Sequence, residues 1–197
     1  MSDILVLYDS NYGMTEALAR EVCRGVDSVP GMASRLRTVP RVSATTEARD
    51  AAVPESGPPY VEMPDLEECA GLVLGSPTHF GNMTASLKYF LDSTITPWLS
   101  GTLVGKPAGT FTSTSSLHGG QEATLLSMAL PLLHHGMIYV GLPYTEKALS
   151  TTTTGGTPYG PSHVSWSRKQ DSLSDEEKTL GRALGERVAE IAKRLAD

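Results

Sequence analysis

The chain has 197 residues, a hydrophobic content of 40% and a formal net charge of −6. This length supports one well-buried core and is short for two, so we expect a single domain over residues 1–197. The negative charge and the lack of a basic patch argue against broad contact with nucleic acid or an anionic membrane. The sequence shows neither a signal-length apolar segment nor a run of membrane-spanning length, which predicts a cytoplasmic protein without membrane insertion.

Neither the two cysteines nor the spacing of the possible metal-ligating residues indicates a disulfide framework or a metal site. Cys23 falls on the apolar side of the first predicted helix and Cys69 ends a short one, so both are interpreted as core residues rather than as a disulfide framework. No pair of histidine or acidic residues has the spacing of metal ligands on one element. We therefore predict no metal site.

The first predicted elements are a strand and a helix that flank a polar turn. Ile4–Tyr8 is a continuous apolar segment, typical of a parallel strand covered on both faces. A helical pattern of apolar residues follows the turn, at Leu18, Ala19, Val22, Cys23 and Val26. The turn itself, Ser10–Thr15, offers the hydroxyls of Ser10 and Thr15, and Gly13 permits close approach of the backbone.

This turn has the composition of a phosphate-binding site. Free N–H groups and the helix dipole favour an anion at a helix N-terminus. The turn lacks the glycine and lysine pattern of nucleoside triphosphate sites and the three-glycine pattern of dinucleotide sites, which favours a single phosphate monoester such as that of FMN. The alternative is that Thr15 is only a helix N-cap and Gly13 an ordinary turn residue.

Four further strands alternate with helices along the chain. Their predicted bounds are Met32–Val39, Gly71–Gly75, Ala108–Ser113 and Met137–Val140. This alternation predicts a doubly wound α/β fold with a parallel sheet, in which ligands bind outside the carboxyl ends of the strands. Three loops rich in Gly, Ser and Thr are expected to meet at that edge: Ser10–Thr15, Ser76–Met83 and Thr114–Gly120.

The remaining segments are two long connections and two further helices. Residues 41–64 are interpreted either as an active-site or subunit-contact insertion or as a poorly ordered loop, and residues 151–172 as a long loop. The helix predicted over Gln121–His135 contains Pro131, which should kink or break it. A capping box at Ser174–Glu177 begins the last helix. Its predicted buried stripe comprises Leu180, Leu184, Val188, Ile191 and Leu195.

Seven pieces of the sequence, in chain order, form a combined pattern. They are Val6–Tyr8 with Ser10–Thr15, Gly75–Met83, Phe90–Asp92, Trp98, Gly119–Glu122, His134–Met137 and Gly155–Gly160. Together they span most of the chain, which resembles the flavodoxin-like family and, more closely, the WrbA-type NAD(P)H:quinone oxidoreductases. The Pro-Thr-x-Phe-Gly-Asn-Met loop, the His-His-Gly-Met junction and the Gly-Gly-Thr-Pro-Tyr-Gly sequence are the specific parts. The first turn alone indicates only a flavodoxin-like protein.

The resemblance implies a flavodoxin-like five-stranded sheet in the order 2-1-3-4-5 with loop insertions, FMN as cofactor, NADH or NADPH as co-substrate and a quinone as substrate. It also implies a homotetramer in which a site borrows residues from neighbouring subunits. The implied cofactor-binding residues fall in three groups. They are Ser10, Asn11, Tyr12, Gly13, Met14 and Thr15 at the phosphate, Thr78, His79 and Phe80 along the isoalloxazine, and Ser113, Thr114, Ser115, Ser116, Leu117, His118 and Gly119 at its polar edge.

The resemblance also implies two catalytic residues. Trp98 would cover the bound substrate and His134 would lie near the flavin, while Tyr12 would help to receive the nicotinamide. From the sequence alone, Trp98 is more typical of a partly buried core aromatic. The two histidines His134 and His135 are typical of a helix C-terminus closed by Gly136.

The sequence departs from the family pattern in two places. His79 stands where an arginine is common, which bears on substrate and cofactor contacts at that position. The loop from Ser113 to Gly120 is one residue longer and bulkier than the usual glycine-rich version.

The leading hypothesis is an FMN-dependent enzyme that takes a hydride from NAD(P)H and passes two electrons to a quinone by a ping-pong mechanism. A one-electron carrier that binds partner proteins is the second hypothesis. A regulatory binding protein is the third, and it ranks last because the sequence has no basic surface and no recognisable interaction motif.

Overall fold

The computed structural model describes residues 2–43, 54, 56–165 and 172–196. Within these residues the chain forms a six-stranded parallel sheet. Its strands are β1 (Ser2–Tyr8), β2 (Met32–Thr38), β3 (Gly71–Pro77), β4 (Pro107–Thr114), β5 (Ile138–Tyr139) and β6 (Ser162–Val164). The order β2-β1-β3-β4-β5 is the predicted one, so the flavodoxin-like α/β fold is confirmed.

Helices cover both faces of the sheet. They are α1 (Met14–Asp27), α2 (Met63–Glu68), α3 (Ala85–Asp92), α4 (Ile95–Leu99), α5 (Gln121–His134), α6 (Ala148–Thr151) and α7 (Asp175–Ala196). Ile4 and Val6 of β1 pack in one core with α1 and α7, whereas Leu5 and Leu7 pack in a second core with α3 and α5. Side chains of a strand alternate between faces, which explains why β1 is apolar throughout.

Glycines let α1 and α7 pack closely on their shared face. A Cβ atom at Gly185 would stand 2.0 Å from the carbonyl oxygen of Val22, and one at Gly25 would stand 1.9 Å from that of Arg182. Neither position has room for a side chain. The helices therefore approach backbone to backbone, and α7 is held against the helix that begins at the first turn.

The capping box predicted at the start of the last helix is confirmed. The Ser174 N–H donates to Glu177 Oε2 (3.0 Å), and the Glu177 N–H donates to Ser174 Oγ (3.1 Å). The predicted buried stripe is correct for Leu180, Leu184 and Val188 and wrong for Leu195, which is 56% exposed. The last turn of α7 lies beyond the residues that cover the sheet.

Strand β6 lies inside the segment that was predicted to be a long loop. Its residues pair in parallel register with the carboxyl end of β4, as Thr112 with Ser162, Ser113 with His163 and Thr114 with Val164. On the same edge of β4, strand β5 pairs only with Pro107 and Ala108. Three residues are too few for a strand pattern to show in sequence, and residues 166–171 of the predicted loop lie outside the described residues.

Two other expectations are affected by the structure. Helix α5 continues through Pro131 to His134, and the His135 N–H donates to the Pro131 carbonyl oxygen (3.0 Å), so the predicted break is wrong. Residues 44–53 and 55 of the predicted insertion over residues 41–64 lie outside the described residues. Among the described residues, no helix has both the length and the apolar character needed to cross a membrane.

Asp65 joins β2 to α2 through buried ionic contacts. Its Oδ2 accepts from Arg37 Nε (2.9 Å) and from the Glu62 N–H (2.9 Å), and its Oδ1 accepts from Arg35 Nη1 (3.4 Å). Burial alone would raise the pKa of Asp65, but the Arg37 hydrogen bond, the Glu62 N–H and the arginine charges together lower it below its ordinary value.

We expect the free energy of unfolding to depend on the ionised Asp65. Because the folded-state pKa lies below the unfolded value of about 3.9, its stabilisation is complete above about pH 4 and is lost as the pH falls through the folded-state pKa. Asp65→Asn should cost about 1–3 kcal/mol at pH 7 and less at pH 3, as measured by urea unfolding. Asp92→Asn, at an exposed ion pair, is the control and should change stability little. An equal loss at both pH values would contradict this assignment.

Candidate functional site

A cavity of about 370 Å³ opens at the carboxyl edge of the sheet. Its lining comes from the loops after β1, β3 and β4 and from the end of β6, as expected for a ligand site of a doubly wound sheet. The lining residues are Ser10, Asn11, Tyr12, Met14, Thr15, Pro77, Thr78, His79, Ser113, Thr114, Ser115, His163 and Ser165. The three polar loops predicted to meet at this edge do meet there.

The turn after β1 leads directly into the N-terminus of α1. Gly13 is the N-cap residue with φ 84°, a left-handed conformation that favours glycine, and its N–H donates to Ser10 Oγ (3.1 Å). The helix N-terminus has no side-chain cap, so free N–H groups of its first turn are available to an anion. Thr15 lies inside α1 and is not the N-cap, which removes the alternative interpretation of this residue.

Thr15 connects the turn to the end of β4. Its Oγ1 shares a buried hydrogen bond with Ser113 Oγ (2.8 Å), although the two residues are 98 positions apart. The Thr78 N–H donates to the Ser113 carbonyl oxygen (2.8 Å), and Thr78 Oγ1 lies 3.3 Å from Thr112 Oγ1. Hydroxyl groups from the first two predicted loops and from the end of β4 therefore lie next to one another.

The loop after β3 forms a second wall. His79 and Asn82 exchange backbone hydrogen bonds (2.8 and 3.0 Å), and Asn11 Nδ2 donates to His79 Nε2 (3.2 Å), which joins this wall to the first turn. Phe80 has φ 54°, a strained value for a bulky residue. Its side chain is fully exposed and is not among the residues that line the cavity, so the predicted contact of Phe80 with the isoalloxazine stays a prediction.

The loop after β4 contributes fewer lining residues than predicted. Ser113, Thr114 and Ser115 line the cavity. The rest of the predicted set, Ser116, Leu117, His118 and Gly119, lies beyond the lining. Gln121 was not predicted as a site residue, yet its Nε2 donates to the carbonyl oxygens of Leu117 (2.7 Å) and Ser116 (3.3 Å). Gln121, the first residue of α5, thus holds the loop after β4 in place.

Two lining residues that the sequence analysis missed are His163, in β6, and Ser165, directly after β6. The Ser165 N–H donates to the Thr114 carbonyl oxygen (2.9 Å), which extends the contact with β4. His163 is fully buried. The only sequence signal was a histidine between small and apolar residues, three positions beyond Gly160 at the end of the motif Gly155–Gly160, and that pattern is too weak to place a strand.

The two residues predicted to be catalytic do not line this cavity within one chain. Trp98 and His134 lie together at a second cavity, formed with α3, α4 and the end of α5. Trp98 Nε1 donates to the His134 carbonyl oxygen (2.8 Å), and Trp98 is 49% exposed. Helix α5 starts beside the first cavity and is about 20 Å long at 1.5 Å per residue. It therefore carries His134 to the opposite edge of the sheet.

The charge and donor set of the first cavity suit a phosphate ester. Its lining is rich in hydroxyl groups and contains no lysine or arginine among the described residues. An anion there would be held by neutral donors and the α1 N-terminus. Among the same described residues, no cluster of three or more His, Cys, Asp or Glu side chains could hold a metal ion.

Comparison with known proteins supports a flavin ligand. The model of the NADPH-dependent FMN reductase family matches residues 3–147. The chain belongs to the NADPH-dependent FMN reductase family. The lining fits FMN, because the residues at the α1 N-terminus could receive the phosphate and the loops after β3 and β4 flank the space for a ring.

Two relatives match this chain over nearly its whole length. It is 40% identical to an NAD(P)H dehydrogenase (quinone) of Solidesulfovibrio magneticus, over 98% of both chains. It is 41% identical to another of Chromohalobacter salexigens, over 100% of both. A crystal structure of a flavodoxin, WrbA-like protein from Agrobacterium tumefaciens superposes with a TM-score of 0.68 at 25% identity, covering 98% of this chain and 99% of that one.

We expect Thr15→Val to weaken FMN binding. The substitution keeps the side-chain volume and removes the hydroxyl that bonds Ser113 at the α1 N-terminus. A hydrogen bond to a charged group is worth about 1.5–3 kcal/mol, so the Kd should rise about tenfold to a hundredfold. Quenching of flavin fluorescence measures it. Thr15→Ser retains the hydroxyl and is the matched control; equal affinity in Thr15→Val and wild type would limit Thr15 to a structural role.

Proposed function

We propose that the protein is an FMN-dependent NAD(P)H:quinone oxidoreductase, formed by one domain over residues 1–197. It takes a hydride from NADH or NADPH and delivers two electrons to a quinone. The observation that carries the proposal is the cavity at the carboxyl edge, where the Thr15–Ser113 hydrogen bond joins the uncapped α1 N-terminus to β4. The full-length relatives named NAD(P)H dehydrogenase (quinone) support the reaction class.

Bound FMN would supply the hydride chemistry. The chain binds and orients the cofactor: Ser10–Thr15 receives the phosphate, while Thr78 and His79 on one side and Ser113–Ser115 on the other flank the ring. Tyr12 is 75% exposed at the cavity, where it can contact a flat aromatic ligand. Nicotinamide and quinone occupy the same slot in turn, which gives ping-pong kinetics.

The proposal includes a homotetramer that completes the site. Trp98 belongs to a set of exposed apolar side chains on α4, on α5, in β5 and in the turn before β4. The others are Ile95, Leu99, Val104, Leu126, Leu130, Leu133 and Ile138. Contiguous exposed apolar surface is typical of a subunit interface. In the proposed tetramer, a neighbouring subunit presents its own Trp98 and His134 to the open side of the cavity.

We place the activity in the cytoplasm as part of the same proposal. The reaction consumes NAD(P)H, so the protein needs a compartment that supplies reduced nicotinamide. The two cysteines, Cys23 and Cys69, are free thiols in the structure, which suits a reducing environment.

Anaerobic reduction of the FMN-loaded protein tests the function. We expect NADH or NADPH to bleach the visible flavin band rapidly, and a subsequent addition of benzoquinone to restore it at once. Initial rates at several fixed quinone concentrations should give parallel double-reciprocal lines, as ping-pong kinetics require. A flavin band that responds to a chemical reductant and to neither nucleotide would instead favour the one-electron carrier.

Complementation between two impaired variants tests the shared site. Trp98→Ala should keep FMN and lose quinone turnover, whereas Thr15→Val should leave its own cavity empty at limiting FMN. Co-expressed subunits form mixed assemblies in which a Trp98→Ala cavity can receive Trp98 from a Thr15→Val neighbour. We expect turnover above that of either variant alone. If mixing restores nothing while the assembly size is unchanged, Trp98 does not act across subunits.

A further inference from the structure

His163 and Glu177 form a buried pair beside the cavity. His163 Nδ1 lies 2.8 Å from Glu177 Oε2, and both side chains are fully buried. Glu177 belongs to the capping box of α7, so the imidazole is tied to a helix N-terminus as well as to β6. The ring is therefore held in one orientation.

The hydrogen bond to Glu177 requires a proton on Nδ1 of His163. Its carboxylate also accepts from the N–H groups of Gly155 (3.1 Å), Val164 (3.3 Å) and Ser174 (3.0 Å). Burial would raise the pKa of Glu177, but the hydrogen bond and charge of His163 and the backbone donors outweigh it and lower the pKa. An ionised carboxylate is only an acceptor, so Nδ1–H of His163 donates to it.

The second ring nitrogen of His163 is left without a partner. Nε2 is buried and makes no hydrogen bond in the described part of the chain, although the residue lines the cavity. Leaving a buried polar atom unpaired costs stability, and such groups in native proteins usually have a partner. With Nδ1 occupied by Glu177, Nε2 is the polar atom that the ring offers to a ligand.

The register of β6 places the His163 side chain on the face of the sheet that packs against α1. His163 is the strand partner of Ser113, so their side chains leave the sheet on the same face. Ser113 is the residue that bonds Thr15 in the first turn of α1. The other titratable side chains that line the cavity are Tyr12 and His79, and the described lining has no lysine or arginine.

We propose that His163 is a phosphate ligand of FMN, with Nδ1–H donating to Glu177 and Nε2–H donating to a phosphate oxygen. This inference rests on the proposed function, because it assumes that FMN occupies the cavity. The hydrogen bond to phosphate is then charge-assisted, which makes it about twice as strong as a neutral one.

Two substitutions separate the contacts of the two ring nitrogens. In His163→Asn the amide nitrogen stands near the position of Nδ1, so the bond to Glu177 is kept and the phosphate donor is removed. In His163→Gln the amide nitrogen reaches the position of Nε2, so a neutral phosphate donor is kept and the bond to Glu177 is lost. Binding of FMN and of riboflavin, which lacks the phosphate, is measured for each variant by quenching of flavin fluorescence.

We expect His163→Asn to raise the Kd for FMN about tenfold to a hundredfold and to leave that for riboflavin unchanged. His163→Gln should fall between His163→Asn and wild type for FMN. The thermal midpoint of each variant without flavin shows that it is folded. If His163→Asn does not fold, His163→Gln alone tests the contact. A loss of affinity for FMN with no loss for riboflavin requires a contact to phosphate.

Two results would overturn the inference. Equal losses for FMN and riboflavin would mean that His163 contacts the ring or ribityl chain, or supports the fold alone. No loss of affinity for either flavin would mean that His163 contacts neither flavin. Both results leave the proposed function intact as long as the wild-type protein binds FMN. Wild-type protein that binds neither flavin would remove the proposed function and this inference together.

Discussion

The hydrogen bond between Thr15 and Ser113 holds the site together, because it fixes the start of α1 against the end of β4. A parallel sheet brings the carboxyl ends of its strands to one edge, but it does not by itself set the distance between the loops that follow them. In this protein the hydrogen bond between the two hydroxyl groups sets the distance between the first loop and the end of β4. The free N–H groups of α1 then face the same space as the loops after β3 and β4, and the geometry of a bound anion follows from that arrangement.

The Glu177 side chain makes contacts with a helix N-terminus, with loop backbone and with a residue of the cavity. It caps α7, accepts from the backbone of Gly155 and Val164, and orients His163. The approach of α7 to α1 through Gly185 and Gly25 holds that carboxylate on the face of the sheet where the first turn begins. Stability and ligand contacts thus share the same residues on this side of the molecule.

The sequence predicted the parts of the structure that local pattern controls. The apolar segment Ile4–Tyr8, the polar turn after it and the capping box before α7 were all recognisable, because burial on two faces, helix capping and turn chemistry leave a local signature. Strand β6 was not recognisable, since its three residues acquire strand geometry only by pairing with β4. The distance of Trp98 and His134 from the cavity of their own chain could not be predicted for a similar reason: it depends on where α4 and the end of α5 lie in the fold.

The edge of β4 is closed in three sections by separate parts of the chain. Strand β5 pairs with its beginning and β6 with its end, and between them a Cβ atom at Gly160 would stand 2.0 Å from the Thr110 carbonyl oxygen. The middle section therefore admits only a bare backbone. Any side chain at position 160 would act as a wedge that lifts β6 away from β4, and the imidazole of His163 would withdraw from the cavity with it.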